Sequence, residues 1–290
     1  MGSVVRCSLV AFYRMRRHVK MARGVVPGAA VFLAVNFLGA LPATSASIVA
    51  PSQQSHRGIY ALSLHDAVSA SGISDVGGEM YYEWSKTCTG WRVNQRVTME
   101  LAQSEGNAQT LTLLFSAFEA SDGSLFDFTM QQAADGVPTE RISGRATVDD
   151  AGAGIVQFDE PAGVRLVLPP LTLFPSRYAV LMLEQAQAGR TNFAALLFDG
   201  SSAETTYSVV TFFGSQEEVL SLHSGRPESL WPLHMGYFPH NKVTSESDFE
   251  IGVRMFENGI AQAFLIDYGS FAVNSTLIEY EAIPEPDCAD

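Results

Sequence analysis

Cysteine is scarce in this sequence, and short catalytic signatures are missing from it. The 290 residues include three cysteines, no two of which form a C-x-x-C pair. The sequence also lacks the G-x-S-x-G, H-E-x-x-H, P-loop and G-x-G-x-x-G patterns, and its cysteines and histidines do not have the spacing of a zinc site. We therefore predict a protein that is not an enzyme, with no catalytic residues, no bound metal and no cofactor.

Basic residues become rare after residue 46. The first 46 residues contain six basic side chains and no acidic one, so the rest of the chain has 18 − 6 = 12 basic side chains against 31 acidic ones. Its formal charge is therefore 12 − 31 = −19. A charge of this sign argues against attraction to nucleic acid or to an anionic membrane face.

The N-terminal segment has the pattern of a secretory signal peptide. Basic residues precede an apolar run from Val25 to Pro42, and the small residues Ala43 to Ala46 follow it. We predict cleavage after Ala46, which removes residues 1–46. Residues 47–290 would then form a single domain that is exported to the periplasm.

A retained membrane anchor is the alternative for this segment. Pro27, Gly28 and Gly39 interrupt the apolar run, and this argues against an anchor. We therefore predict no stable membrane span after cleavage. A chain that began at Met21 would keep the same signal pattern, so the start of translation is open between Met1 and Met21.

The exported chain keeps two cysteines, Cys88 and Cys288. In an oxidising compartment, two cysteines in a secreted chain are most simply explained by one disulfide. Two free thiols are the alternative. A catalytic thiol is not favoured, because no histidine lies near Cys88 in the sequence.

Short segments of alternating apolar and polar residues recur along the chain, and clusters of turn-forming residues separate them. This pattern predicts an all-β, mainly antiparallel fold. The first of these segments after the start of the exported chain is followed by a hairpin in which Cys88 lies between Trp84 and Trp91. The predicted strands outside that hairpin are Gly58–Asp66, Leu111–Glu119, Leu125–Gln131, Ile142–Val148, Gly154–Phe158, Val164–Leu168, Asn192–Phe198, Thr205–Phe213, Phe249–Phe256, Gln262–Tyr268 and Leu277–Ala282.

One segment, Ser176 to Gly189, has the pattern of a helix instead. Ser176 is the expected N-cap, and Gly189 is the expected left-handed stop. The apolar residues of this segment surround nearly the whole helix, which predicts burial on several sides. An all-β chain with one such helix suggests a curved sheet whose interior the helix fills.

Two other groups of residues are candidates for binding. His223, His234 and His240 have separations that suit no compact zinc signature, so we interpret them as ordinary loop histidines. The aromatic residues of the proline-rich segment 227–239 either pack over an open end of the sheet or form a patch for a partner protein. The candidate partner patch consists of Trp231, Tyr237 and Phe238.

Several stretches taken together resemble the periplasmic cell envelope integrity proteins of the EipB type in Gram-negative bacteria. They are HRGIYALSL, SKTCTGW, the block LPPLTLFPSRYAVLMLEQAQAGRTNFAALLFDGS, and a cysteine close to the C-terminus. The resemblance spans nearly the whole exported chain. It assigns motif positions to Trp84, Cys88, Gly90 and Trp91 in the cysteine hairpin, to Phe174, Pro175 and Gly189 around the helix, and to Asp199 and Gly200 in the turn that follows.

The resemblance implies a spiral or open β-barrel around one buried helix, closed by a disulfide between Cys88 and Cys288. It also implies a non-enzymatic role in envelope integrity and division. The implied partner is another periplasmic envelope protein, with a tetratricopeptide-repeat protein as one candidate. One departure is that Arg177 and Tyr178 stand where the family usually has a histidine after Phe-Pro, and this places any role of that histidine in doubt.

Three hypotheses about function follow. The first is a non-catalytic envelope protein that acts through protein–protein interaction. The second is a periplasmic carrier that binds the acyl chains of a lipid or lipoprotein inside the curved sheet. The third is a hydrolase whose site is assembled from distant strands and leaves no local motif.

Overall fold

The structure is a computed structural model that describes residues 53–106, 108–149 and 151–288. The predicted signal peptide lies outside these residues and stays a prediction. Within the described ranges, no helix is long and apolar enough to cross a membrane. The elements are β1 (His56–Ala67), β2 (Ile73–Lys86), β3 (Gly90–Gln103), β4 (Gln109–Ala120), β5 (Leu125–Ala134), β6 (Val137–Val148), β7 (Gly154–Glu160), β8 (Arg165–Leu168), α1 (Pro175–Gln187), β9 (Asn192–Leu197), β10 (Tyr207–Phe213), β11 (Glu217–Leu220), β12 (Pro227–Pro239), β13 (Phe249–Phe256), β14 (Ala261–Asp267) and β15 (Phe271–Ala282).

All of these strands belong to one antiparallel sheet. The strand order is β8-β7-β6-β5-β4-β3-β2-β1-β15-β14-β13-β12-β10-β9, and β11 pairs with β12 beside this path. Strand β1 therefore lies in the middle of the sheet. From there the chain runs outward to β8, crosses to the opposite edge through α1, and returns to pair β15 with β1.

The sheet curls until its two ends approach each other. Phe128 in β5 and Phe158 in β7 pack against Phe198, which follows β9, with ring centroids 5.4 and 6.3 Å apart. An isolated bridge between Leu173 and Leu197 lies at the same seam. Among the described strands, no ladder joins β8 to β9, so the barrel stays open. The prediction of an all-β open barrel around one helix is confirmed.

Helix α1 begins two residues earlier than its sequence pattern suggested. Pro175 is the first helical residue and Phe174 is the N-cap, without a side-chain cap, so the prediction of Ser176 as N-cap is wrong. Proline suits the first position because the helix needs no N–H there. After the last helical residue, Gln187, the chain reaches Gly189 in the left-handed conformation that ends a helix (φ 70).

The helix buries one face rather than its whole circumference. Tyr178, Met182 and Ala186, spaced four residues apart, are buried, whereas Arg177 and Gln187 are exposed. Leu183 is buried as well, and the remaining apolar side chains of the helix are half-buried. Because the barrel is open, the outer side of α1 is less covered than the continuous apolar run predicted.

The proline-rich segment 227–239 is the strand β12, and the candidate partner patch on it is wrong. Trp231 and Tyr237 are buried, with 8% and 5% of their surface exposed, and Phe238 is half-buried. Strand β12 accommodates Pro232 because this residue lies where the neighbouring strand changes from β11 to β10. The ring of Tyr237 stacks on Phe249, so its contacts are inside the barrel.

Candidate functional site

The predicted disulfide is present and fixes the C-terminal tail to the middle of the sheet. Cys88, in the turn between β2 and β3, is bonded to Cys288, and their Cα atoms are 5.5 Å apart. The backbone N–H of Ile283 donates to the carbonyl oxygen of Ser55 at 2.9 Å. The Ser55 hydroxyl donates to Glu285 at 3.0 Å. The tail after β15 therefore joins the start of β1 and the first hairpin at one end of the barrel.

A buried carboxylate caps the helix from a neighbouring strand. The two side-chain oxygens of Glu119, in β4, accept the backbone N–H groups of Ser176 and Arg177 at 2.6 and 2.8 Å. Trp84 Nε1 donates to the Ser176 hydroxyl at 3.3 Å. Because a helix leaves its first N–H groups without internal partners, Glu119 supplies the cap that Phe174 lacks.

Sequence reasoning did not identify Glu119, although one signal was present. Leu111 and Leu113 in β4 are buried, and Glu119 continues the same alternation as the one charged residue on this inward face. Burial raises the pKa of Glu119 to about 7, while the two backbone N–H groups act in the opposite direction. Glu119 is therefore a titratable group that is buried between the strands and the start of α1.

The hairpin motif residues surround this cap. Gly90 lies opposite Ala120, and a Cβ atom at Gly90 would collide with the carbonyl oxygen of Glu119. The ring of Trp91 lies 6.3 Å from that of Trp84, which is 2% exposed. The hairpin, the end of β4 and the first turn of α1 thus form one packed unit.

A cavity of ≈ 230 Å³ lies between α1 and the inner face of the sheet. Pro175, Ser176, Ala179 and Met182 line it from the helix, and Phe115 is one of the many apolar residues that line it from the strands. The helix therefore covers a cavity instead of filling the interior completely. No lysine or arginine of the described chain lines this cavity.

Asp199 lines this cavity and has one unpartnered carboxyl oxygen. Its Oδ1 accepts the backbone N–H and the hydroxyl of Ser201 at 3.0 and 2.6 Å. Its Oδ2 is buried and has no hydrogen-bond partner in the described part of the chain. Asp199 and Ser201 both line the cavity, and burial raises the pKa of Asp199.

His56 contributes a second unpartnered atom. Its Nδ1 lies 2.8 Å from the carbonyl oxygen of Gln54, so Nδ1 must carry the hydrogen in that contact. Burial lowers the pKa of His56 and favours the neutral ring. Nε2 is then a bare acceptor, and it is buried without a partner among the residues described. By contrast, the hydroxyls of Tyr60 and Tyr178 at this cavity have partners, 2.9 and 2.7 Å away.

The turn that presents Asp199 depends on Gly200. This glycine has φ 76, and a Cβ atom on it would lie 2.6 Å from the ring of Phe128. Gly225 has a similar φ of 69 but has no atom within 4 Å of such a Cβ. Comparing substitutions at the two glycines therefore distinguishes the effect of backbone conformation on stability from the effect of packing.

We expect Gly225→Ala to lower the free energy of unfolding by about 1 kcal/mol, because alanine is strained at positive φ. Gly200→Ala should lower it by about 1–2 kcal/mol more, since the new methyl group displaces the Phe128 ring. Urea unfolding of the two variants and the unmodified chain measures both values. Equal losses for the two variants would show that the contact with Phe128 does not matter.

The three histidines of the loop interpretation have separate partners. His234 Nε2 lies 2.8 Å from Glu250, and His240 Nδ1 lies 3.4 Å from the hydroxyl of Ser208. His234 is in fact on β12, so describing it as a loop residue is wrong. No group of three metal-ligating side chains occurs in the ranges that the structure covers.

His223 lies in a line of side chains that resembles a nucleophile–base–acid arrangement. Its Nδ1 contacts the hydroxyl of Ser221, and its Nε2 lies 2.8 Å from the Asn258 side-chain amide nitrogen and 2.9 Å from Glu228 Oε2. However, Ser221 is 1% exposed, and its hydroxyl also accepts the backbone N–H of Ser224. None of these residues lines the cavity. A nucleophile must reach its substrate, so we interpret this line as a stabilised turn before β12.

Comparisons with known proteins agree with this architecture. The sequence profile of the EipB-like family matches residues 48–284, which include the capped helix and the cavity. The cell envelope integrity protein EipB of Brucella abortus (strain 2308) is 28% identical in an alignment 273 residues long, which covers 91% of this chain and 95% of that protein. A crystal structure of a β-barrel-like protein of a domain of unknown function, also from Brucella abortus, is 26% identical. It superposes with a TM-score of 0.74 over 80% of this chain and 99% of that one.

Proposed function

This chain belongs to the EipB-like family, and on that premise we propose that it is a non-catalytic periplasmic protein that supports envelope integrity and cell division. It acts by binding another envelope protein. The observation that carries this proposal is the similarity to a protein named for cell envelope integrity over 91% of the chain. The disulfide is consistent with an oxidising compartment outside the cytoplasm.

A tetratricopeptide-repeat protein is one class of partner that we propose. Such repeats form extended concave surfaces that bind other proteins. The strongly acidic exported chain would be attracted to a basic surface of this kind, and that attraction would weaken at high salt.

A crosslinking pulldown of the exported chain in its own periplasm tests the interaction. We expect one dominant envelope protein, and we expect less of it when a variant with both cysteines replaced by serine is the bait, because the tail is then released from the barrel. Recovery of no protein, together with unchanged detergent and antibiotic sensitivity after deletion of the gene, would contradict the proposal.

A carrier of acyl chains is the second candidate, and the cavity under α1 favours it. The cavity is lined mainly by apolar side chains and is covered by the helix, as a site that shields an apolar ligand from water requires. Native mass spectrometry of protein purified without detergent tests this candidate. A reproducible adduct supports it, and bare protein in every preparation would count against it.

A further inference from the structure

The size of the cavity limits what it holds. An engineered protein cavity of about 150 Å³ accommodates one benzene ring. The cavity under α1 measures ≈ 230 Å³, so it has room for one short chain or one ring. The two acyl chains of a phospholipid, or the acyl chains of a lipoprotein, do not fit entirely inside this space, which is partly open to solvent.

The charges around the cavity limit the head group of such a ligand. Glu119 and Asp199 both line the cavity, and no described lysine or arginine does so. An anionic head would be buried beside two carboxyl groups without a cation to pair with, which is strongly unfavourable. Fatty-acid carboxylates and phosphate esters are therefore poor ligands for this cavity.

The unpartnered atoms indicate what the head group must offer. Nε2 of His56 needs a hydrogen-bond donor, since Nδ1 carries the ring hydrogen. An ionised Asp199 needs a donor at Oδ2, whereas a protonated Asp199 carries its hydrogen on Oδ2, because Oδ1 already accepts two hydrogen bonds. A hydroxyl group satisfies both states because it donates and accepts, while an ammonium group satisfies only the ionised one.

We propose that the cavity under α1 binds a single-chain amphiphile with an uncharged, hydroxyl-bearing head, such as a monoacylglycerol, and that Asp199 holds that head. This inference rests on the carrier candidate and does not depend on the proposed interaction with an envelope protein. Ser201 holds Oδ1 of the Asp199 carboxyl group, so the orientation of this group, and with it the position of the free Oδ2, is defined.

Three probes with the same chain length test the head group: monooctanoylglycerol, octanoate and octylammonium. Trp84 and Trp91 line the cavity, so the tryptophan fluorescence of the disulfide-bonded exported chain reports binding below the critical micelle concentration. We expect monooctanoylglycerol to bind at least about tenfold more tightly than octanoate, with calorimetry as the second measurement. Octanoate that binds as tightly as monooctanoylglycerol would overturn the assigned head group while leaving the carrier candidate intact.

Asp199→Asn identifies the residue that holds the head. Asparagine keeps Oδ1 for Ser201 but replaces Oδ2 with an amide N–H₂ group and removes the negative charge. We expect the preference over octanoate to shrink about tenfold in this variant. Asp127→Asn, on the Arg145 ion pair outside the cavity, changes the net charge equally and should keep the full preference. An unchanged preference in Asp199→Asn would contradict the role of Asp199.

Ala179→Phe places a ring in the cavity from the helix and keeps the test valid if Asp199→Asn does not fold. We expect this variant to bind none of the three probes. Undiminished binding of monooctanoylglycerol to Ala179→Phe would show that the probe binds elsewhere, and it would overturn the proposed site.

Absence of binding of every probe to the unmodified chain would reject the cavity as a ligand site. The pulldown tests the protein partner separately.

Discussion

Replacing Cys88 and Cys288 together with serine should lower the free energy of unfolding by about 3–5 kcal/mol. The disulfide joins residues 200 positions apart, and for a loop of this length the entropy of the cross-linked unfolded chain corresponds to about 5 kcal/mol. Residual structure in the unfolded chain reduces this value. With about 2–4 °C per kcal/mol for a domain of this size, the melting temperature should fall by roughly 10 °C.

The same experiment contains its own control. A reducing agent should bring the melting temperature of the unmodified protein down to that of the double variant, and it should leave the double variant unchanged. Glu285→Gln weakens the contacts of the tail with Ser55 and Lys86 without removing the cross-link, so it should cost far less. Equal melting temperatures for the double variant and the unmodified protein under oxidising conditions would show that the disulfide does not stabilise the fold.

The sequence pattern predicts the elements whose residues alternate regularly. In β5, Phe126, Phe128 and Met130 alternate with less buried residues, and the predicted strand overlaps the observed one. The left-handed stop at Gly189 also follows from local chemistry, because glycine adopts positive φ without strain. Periodicity and turn chemistry are local properties, so they are readable from one sequence.

Other features depend on contacts between distant parts of the chain, and these were missed. Strand β12 contains Pro227, Pro232 and Pro239, so it has the composition of a loop, and only the change of neighbouring strand at Pro232 explains why it is a strand. The cap on α1 likewise comes from Glu119, which precedes Ser176 by 57 residues. A sequence does not show which side chain will reach a helix terminus from another element.

The cavity depends both on residues that the sequence identifies and on contacts between distant parts of the chain. Asp199 and Gly200 are identified as motif positions by resemblance, but the sequence does not show that one carboxyl oxygen of Asp199 remains unpartnered beside an apolar space. That property requires the curvature of the sheet, which brings the turn after β9 to the barrel interior. The ligand class inferred above therefore comes from the structure and not from the resemblance.

Glu119 should make the stability of this protein fall as the pH rises from about 5 to about 8. Burial raises the pKa of Glu119 to about 7 in the folded chain, whereas the ordinary value for glutamic acid is 4.5. Between these two values the folded state binds more protons than the unfolded state, so stability decreases with increasing pH. The full difference between these two pKa values corresponds to at most about 3 kcal/mol of unfolding free energy. Nearly all of this stability is lost by pH 8.

Glu119→Gln removes this titration while preserving the size of the side chain, so its unfolding free energy should change less between pH 5 and pH 8 than that of the unmodified protein. The difference between the two proteins in how the unfolding free energy changes with pH is due to Glu119 alone, because every other titrating group is common to both. Glu100→Gln makes the same chemical change at an exposed position of β3 and should follow the unmodified curve. Parallel curves for Glu119→Gln and the unmodified protein would mean that the two N–H groups at the start of α1 offset the burial of this carboxylate. Glu119 would then cap the helix as an ordinary anion at every pH tested.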